Sequence, residues 1–283
     1  MPLYKPTELA EFLNSLGIAP KKGLSQNFLI DGNIIRKILQ AAEVKAGDLV
    51  LEIGPGPGAL SEALLAQGVT LLAVEKDRIL AQALERLRTE QNELEVFCDD
   101  ILEFPMERLV RYVEGGRRIK VIANLPYHLT TPILIRLLPV RELFASLTVM
   151  VQDEVAKRMT ALPGTKAYGS LTLFLNFHAK TRYSFPVSSR CFYPVPKVES
   201  AVVTLELCES PAVSDQNKLF QLTRTAFCHR RKMLRASLKE LYPPSVIVEA
   251  LHSLQLPQET RPEELSLEQF IALCEALPSP LPI

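Results

Sequence analysis

Glycines and a carboxylate stand at spacings that suit a ligand containing a nucleoside. The segment Glu52–Ala59 reads EIGPGPGA and follows an apolar run. At such a turn Gly54 and Gly56 would let the backbone approach a ligand closely. Glu75 follows about 20 residues later, where a carboxylate can accept both hydroxyls of a ribose. The glycine string also fits G-x-G-x-x-A, so alone it permits a dinucleotide dehydrogenase or an ordinary tight turn.

Two more carboxylates, Asp99 and Asp100, follow the next apolar run. A carboxylate at this place suits recognition of an adenine amino group, and Ile101 can pack on the base. A lone acidic residue in a loop is usually only solvated. A glycine turn, a glutamate and an aspartate after three successive runs are harder to explain by chance, so a nucleoside-containing cofactor is expected, with its identity still open.

The string Asn124-Leu125-Pro126-Tyr127 follows a further apolar run and indicates the reaction. Methyl transfer to an adenine amino group is difficult because the nitrogen lone pair is delocalised into the ring. The carbonyl of Asn124 and a backbone carbonyl can accept the two N–H bonds and localise that lone pair, while Pro126 fixes φ. Tyr127 can stack on the base and favour a cationic centre. The alternative is a turn that merely ends a strand.

These residues need a sheet to bring them together, and the hydrophobic pattern predicts one. Short apolar runs alternate with helical stretches, among them Ala59–Ala66 and Arg78–Arg88. This alternation is typical of a mostly parallel sheet covered on both faces, which binds ligands at the carboxyl ends of its strands. The predicted strands are Leu49–Ile53, Leu71–Val74, Leu94–Phe97, Ile119–Ala123 and Leu147–Gln152.

The rest of the chain predicts a loop, a last strand and a helical appendage. Pro186–Pro196 is expected to be an ordered loop and Ser200–Leu207 a strand, whereas Ser170–Phe177 fits a strand or a helix. Glu209–Gln216 breaks the pattern, so we expect a catalytic domain over residues 1–210 and a helical domain over 211–283. The predicted C-terminal helices are Asn217–Leu241, Pro244–Leu254 and Ser266–Leu277.

Composition excludes several classes of protein. The 283 residues include 47% hydrophobic and 23% charged residues, which is typical of a soluble protein with a substantial core. No apolar run reaches the roughly 20 residues that cross a bilayer, and the first residues do not resemble a secretion signal. The 5 cysteines are scattered, which favours free thiols in the cytoplasm over disulfides or a metal site. The net charge is +0, so any contact with nucleic acid must come from local basic patches.

One such patch lies in the predicted helix Asn217–Leu241. Its apolar side chains can pack by one face while its cations face phosphates, although a solvated charged face is the alternative. The candidate RNA-binding residues are Arg224, Arg230, Arg231, Lys232 and Arg235.

Taken together, these motifs resemble the KsgA (RsmA) branch of the ribosomal RNA adenine dimethyltransferases, which is related to the Erm enzymes. The resemblance extends from about Lys21 to about Leu241, more weakly to the C-terminus, and the order of the motifs matches the family. The matching strings are QNFL, EIGPGPGAL, VEKD, DDIL, NLPY, QDEVAKR, AYGSL and FYPVPKVES.

The resemblance implies a Rossmann-like class I methyltransferase sheet that uses S-adenosylmethionine, with a small all-helical C-terminal domain. It implies that the substrate is a pair of adjacent adenosines in the 3′-terminal hairpin loop of 16S ribosomal RNA, and that the enzyme is a cytoplasmic monomer. It also makes Ser170–Phe177 a helix. It places Gly54 and Gly56 beside the methionine moiety of the cofactor, Glu75 on the ribose, and Asp100, rather than Asp99, on the adenine.

Other roles rest on the resemblance alone. It implies that Gln26, Asn27 and Leu29 contact the cofactor, that Asn124 lies where methyl group and target nitrogen meet, and that Phe192 sandwiches the target base with Tyr127. Three alternatives remain. They are an Erm-type enzyme acting on 23S ribosomal RNA, a non-catalytic nucleic-acid-binding relative, and a dehydrogenase, which leaves NLPY unexplained.

Overall fold

The protein is described by a computed structural model that covers residues 3–21, 26–229 and 232–281. The chain forms two compact units. The first comprises Met1–Ala156 and Arg182–Leu207, and the second comprises Lys157–Thr181 and Cys208–Ile283. Within the described ranges, no helix has both the length and the apolar character needed to cross a membrane.

The strands are β1 Phe28–Leu29, β2 Leu49–Ile53, β3 Thr70–Glu75, β4 Glu93–Cys98, β5 Ile119–Asn124, β6 Phe144–Gln152, β7 Ala179–Val187, β8 Phe192–Tyr193 and β9 Ser200–Leu207. A seven-stranded sheet has the order β4-β3-β2-β5-β6-β9-β7, and a separate two-stranded ladder pairs β1 with β8. Strands β2 to β6 pair with one another in parallel, whereas β9 is antiparallel to β6.

Helices alternate with these strands and continue beyond them. They are α1 Pro6–Ser15, α2 Gly32–Ala41, α3 Ala59–Leu65, α4 Arg78–Leu84, α5 Thr130–Leu137, α6 Asp153–Met159, α7 Ser170–His178, α8 Gln216–Cys228, α9 Leu234–Ser237, α10 Pro244–Ser253 and α11 Leu267–Ala276. The helix implied over Ser170–Phe177 is therefore confirmed as α7.

The predicted mostly parallel sheet is confirmed, and the burial of its strands explains why their apolar runs could be recognised in the sequence. Every residue of β2 is buried, as a strand covered on both faces requires. Side chains of β2, β3 and β5 share a core with the helices beside them, for example Val50, Leu71 and Ile122 with Ile38 and Leu64. This packing fixes where each strand ends, and the ends carry the candidate site.

Helix α7 belongs to the second unit because Leu173 and Phe177 are buried in that unit's core, together with Leu219 and Leu222 of α8. The observed units therefore differ from the predicted segments 1–210 and 211–283, since Lys157–Thr181 belongs with the later helices.

The prediction of one continuous helix over Asn217–Leu241 is wrong. Helix α8 ends at Cys228, and His229 leaves helical geometry with φ −125° and ψ 55°. At the next described residue, the amide of Lys232 donates to the carbonyl of His229 at 2.8 Å. The amide of Leu234 then donates to the carbonyl of Thr260 at 2.9 Å, which fixes the start of α9 independently of α8.

Candidate active site

A cavity of about 300 Å³ opens at the carboxyl ends of β2, β3, β4 and β5. This volume lies within the range of small-molecule sites, about 300–1,000 Å³. All but one of the residues predicted from the sequence to bind the cofactor or act in catalysis line it. They are Gln26, Asn27, Leu29, Gly54, Gly56, Glu75, Asp100, Ile101, Asn124, Pro126 and Tyr127.

The glycine turn after β2 forms one wall of the cavity. Gly54 and Gly56 have φ of 66° and 59°, in the left-handed region that favours glycine. A Cβ on Gly56 would lie 3.2 Å from the ring of Phe28, whereas a Cβ on Gly54 would meet nothing within 4 Å. The backbone at Gly54 is therefore open to a ligand, and Phe28 closes the turn at Gly56.

Glu75 joins the end of β3 to that turn. Its carboxylate accepts a hydrogen bond from the amide of Gly56 at 2.9 Å and another from the amide of Asp77 at 2.8 Å. Burial raises the pKa of Glu75, and the backbone donors oppose this effect. Each carboxylate oxygen has two lone pairs, so Glu75 can still accept from a ligand hydroxyl.

A second buried carboxylate, Glu52, lies at the end of β2 and also lines the cavity. The hydroxyl of Ser61, itself fully buried, donates to it at 2.6 Å. Burial raises the pKa of Glu52 to about 8, with a smaller contribution from the charge of Glu75. Glu52 therefore carries its proton at neutral pH, and this avoids repulsion between two buried carboxylates, those of Glu52 and Glu75.

Asp99 and Asp100 both line the cavity after β4, and their surroundings differ. Asp100 accepts from the amide of Leu102 at 2.9 Å and from Lys76 Nζ at 2.7 Å. Burial favours the neutral form of Asp100, but the hydrogen bonds from Lys76 and Leu102 and the positive charges of Lys76 and Arg136 together outweigh it and lower the pKa. Asp100 is therefore ionised and can accept from an amino group; its assignment to the adenine stays a prediction.

Asn124, the last residue of β5, is fixed by a residue far away in the chain. Its Nδ2 donates to the backbone carbonyl of Asn27 at 3.0 Å. This bond restrains the orientation of the amide, whose Oδ1 is the atom that can accept a bond from a substrate. This contact was not predicted, and nothing in the sequence around Asn27 indicates it.

Tyr127 lies at the other end of the same tetrapeptide. Its hydroxyl lies 2.7 Å from the hydroxyl of Ser200, the first residue of β9. Burial raises the pKa of Tyr127, so the phenol stays neutral at physiological pH. Pro126, which lies between Asn124 and Tyr127 in the tetrapeptide, has φ −57° and ψ 126°.

Phe192 is the one residue predicted for catalysis or cofactor binding that does not line the cavity. It is fully buried in the core of the first unit, while its neighbour Tyr193 is 44% exposed. Strand alternation explains the difference, since β8 pairs Phe192 with Leu29 and Tyr193 with Phe28. A stacking contact between Phe192 and a base stays a prediction, and it requires the ring to leave this core.

The predicted RNA-binding cations lie in the second unit. Arg224 on α8 is exposed, and its Nε donates to the carbonyl of Phe220 at 3.2 Å. Lys232 is exposed and Arg235 is half-buried, while Arg230 and Arg231 lie outside the described residues.

Helix α1 contributes to the site but was not among the elements predicted from the sequence. Leu9, which is 1% exposed, lines the cavity, and Leu13 packs with Phe28 and Leu80. A signal was present, because Pro6 at the first helical position and leucines four residues apart are typical of an amphipathic helix.

Comparison with known proteins agrees with this geometry. A family model described as ribosomal RNA adenine dimethylase matches residues 19–278. Ribosomal RNA small subunit methyltransferase A of Protochlamydia amoebophila is 59% identical over 278 residues, covering 98% of this chain and 98% of the relative. The protein of the same name from Chlamydia felis is 48% identical over 275 residues, covering 96% and 95%.

Two solved structures share the fold. A dimethyladenosine transferase from Plasmodium falciparum has a TM-score of 0.73 at 26% identity, covering 87% of this chain and 95% of that one. The 23S rRNA methyltransferase ErmE has a TM-score of 0.66 at 24% identity, covering 89% and 99%. The predicted Rossmann-like fold with further helices at the C-terminus is thereby confirmed.

Proposed function

The chain belongs to the ribosomal RNA adenine dimethylase family, and we propose that it dimethylates the N6 amino groups of two adjacent adenosines in the 3′-terminal hairpin loop of 16S ribosomal RNA. The single observation that carries this proposal is the contact between Asn124 and Asn27, because it fixes the side-chain amide of a residue that lines the cavity and whose oxygen can accept from a substrate. The names of the relatives, which refer to the small ribosomal subunit, support the choice of RNA.

The cofactor is S-adenosylmethionine, and the cavity suits it. The open backbone at Gly54 fits the methionine part, the buried acceptor Glu75 fits the ribose, and Asp100 with the apolar Ile101 fits the adenine. When bound, the cofactor supplies a methyl group made electrophilic by its sulfonium centre. Among residues 3–21, 26–229 and 232–281, no group of three or more His, Cys, Asp or Glu side chains could hold a metal ion.

The residues of the tetrapeptide prepare the target nitrogen. Asn124 Oδ1 accepts one N6–H bond and the carbonyl that precedes Pro126 can accept the other, which moves the lone pair out of conjugation with the ring. This acts most strongly as charge develops on the nitrogen, so it lowers the barrier and not only the dissociation constant.

Aromatic side chains hold the base. Tyr127 borders the cavity and offers a ring for stacking, and Phe192 is the predicted second ring. A base in a hairpin loop can be splayed into such a pocket without breaking a long duplex.

Methylation leaves a positive charge on N6, and the attached proton is acidic enough to pass to water. The chain therefore needs no general base. After the first transfer one N–H remains, and Asn124 can accept it for the second transfer.

The RNA is held largely by cations. We propose that Arg224, Arg230, Arg231, Lys232 and Arg235 bind its phosphates, that residues 211–283 belong to the RNA-binding part, and that the enzyme acts as a monomer in the cytoplasm. The exposed positions of Arg224 and Lys232 support contact with phosphates.

Separate ribosomal subunits test the choice of RNA. The protein would be incubated with labelled S-adenosylmethionine and either unmethylated small subunits or large subunits, and the modified nucleotides would be mapped. We expect label in two adjacent adenosines near the 3′ end of 16S RNA. Label in 23S RNA alone would instead favour an Erm-type enzyme, and no label in either would favour a non-catalytic relative.

A further inference from the structure

A buried serine contacts the aromatic residue of the catalytic tetrapeptide. Ser200 is fully buried, yet its hydroxyl lies 2.7 Å from that of Tyr127, and either group can donate. The two residues are 73 positions apart in the chain. This hydrogen bond joins the loop after β5 to the start of β9.

Ser200 is itself held in a fixed place. It pairs with Gln152 in the antiparallel ladder of β6 and β9. Immediately before it, the carbonyl of Glu199 accepts from the amide of Asp153 at 3.0 Å. The ladder thus holds the backbone of Ser200, and complete burial restricts its side chain, so the hydroxyl is a fixed partner for Tyr127.

The geometry of a tyrosine decides what such a bond can fix. The hydroxyl lies on the axis from Cβ through the ring, so a bond to it sets the direction in which the ring projects. Rotation of the ring about that axis is left to packing. Pro126 restrains the backbone just before the ring, and the bond to Ser200 restrains its far end.

The opposite end of the tetrapeptide is restrained independently, by the bond from Asn124 to the carbonyl of Asn27. The amide that accepts from the base and the ring that stacks on it are thus each tied to a separate element. Their separation is set by β1 on one side and β9 on the other.

We propose that Ser200 is a positioning residue for methyl transfer, which holds the Tyr127 ring at the place where it stacks on the target adenine. The proposal rests on the proposed function, since it assigns Tyr127 a base. Ser200 contacts neither base nor cofactor in this role. Its removal would leave the site formed but the ring less well aligned, and this affects turnover more than binding.

The test is a double-mutant cycle with Ser200→Ala, Tyr127→Phe and the double variant. Ser184→Ala is the matched control, because it removes another hydroxyl pair that involves β9, the 3.0 Å contact of Ser184 on β7 with Thr204 on β9. The readouts are kcat and KM for unmethylated small subunits, the dissociation constant of S-adenosylmethionine, and unfolding in urea.

We expect Ser200→Ala and Tyr127→Phe each to lower kcat by about 3- to 10-fold, the range that follows from losing one hydrogen bond. The double variant should be no slower than either single one, and cofactor binding should be unchanged. Ser184→Ala should keep the wild-type kcat. A wild-type kcat for Ser200→Ala, or losses that multiply in the double variant, would overturn the proposal.

Wild-type activity and urea unfolding of the variants together distinguish a failure of this proposal from a failure of the proposed function. If the wild-type protein transfers no methyl group to either subunit, the proposed function fails, and the positioning role, which needs a base to align, fails with it. Suppose that the wild type is active and that the losses in free energy of unfolding caused by Ser200→Ala and by Tyr127→Phe add up in the double variant. The two hydroxyls are then not coupled. In that case the positioning role fails while the proposed function stands.

Discussion

Asn124 donates its side-chain amide to the backbone carbonyl of Asn27 at 3.0 Å, across 97 residues of sequence. The bond restrains the side chain of a residue that lines the cavity and whose Oδ1 can accept a hydrogen bond. Asn27 directly precedes β1, so the orientation of Asn124 depends on the short ladder that pairs β1 with β8. The proposed binding of the cofactor and the proposed alignment of the target nitrogen thus depend on the same structural element.

Replacement of Glu75 tests the ribose site. Glu75→Ala should weaken binding of S-adenosylmethionine by on the order of 1–3 kcal/mol, because ligand hydroxyls and the amide of Gly56 lose their acceptor. Titration calorimetry on the folded variant would measure it. Glu85→Gln, a change to an exposed carboxylate outside the cavity, is the control. An unchanged dissociation constant for Glu75→Ala would remove this residue from the site.

Glu52→Gln should change how stability depends on pH. The pKa of Glu52 is about 8 in the folded protein and about 4.5 when unfolded, so the folded state binds the proton more tightly. The contribution of Glu52 to the free energy of unfolding is fully present below pH 4.5 and is lost as the pH rises to about 8. Over this range the free energy of unfolding falls by at most about 1.4 kcal/mol per pH unit.

The comparison of wild type and Glu52→Gln requires urea unfolding at pH values from 5 to about 8 without cofactor. The free energy of unfolding of the wild type should fall relative to that of the variant across this range, because glutamine cannot ionise. Parallel pH profiles would show that Glu52 is ionised in the folded protein despite its burial.

Much of the sheet and its turns could be predicted from the sequence, for a physical reason. A strand buried on both faces is continuously apolar, as β2 is, and a glycine turn after it has a distinctive composition. The edge strand β7 was missed because it is half polar and carries Pro186 near its end, features that are typical of edges.

Contacts between distant segments could not be predicted. The partners of Asn124 and Tyr127 depend on the order of strands and on the antiparallel direction of β9, which no local pattern specifies. Burial of Phe192 likewise follows from the pairing of β8 with β1. The first residue of α9, Leu234, donates its amide to the carbonyl of Thr260, a partner far along the chain.

Phe192→Leu tests the second aromatic contact. Leucine keeps most of the buried volume, so we expect a stability loss of about 1 kcal/mol, within the range for volume-conserving core changes. Turnover should fall because the base no longer has a stacking partner worth about 1–3 kcal/mol, while association with RNA is nearly retained. Methylation assays beside urea unfolding would check this. Normal turnover by the folded variant would make Phe192 a core residue only.

Cations beyond α8 should govern the salt dependence of RNA binding. Replacing Arg230, Arg231 and Lys232 with alanine should weaken binding of small subunits and reduce the salt slope by about 0.7 to 0.9 for each phosphate that is no longer neutralised. Cofactor binding should stay unchanged. The control removes three exposed cations of the first unit, Arg36, Lys37 and Lys45. A wild-type salt slope for the first variant would mean that the RNA docks elsewhere.

The most direct test of the central claim is the single-turnover rate of methyl transfer to unmethylated small subunits by Asn124→Ala and Asn124→Asp. Alanine removes the acceptor, and aspartate keeps the shape but cannot donate to the carbonyl of Asn27. For both variants, shown to be folded and to bind S-adenosylmethionine, we expect a rate on the order of 10²–10³-fold below wild type. A rate near that of the wild type for either folded variant would contradict the claim that an oriented Asn124 prepares the target nitrogen.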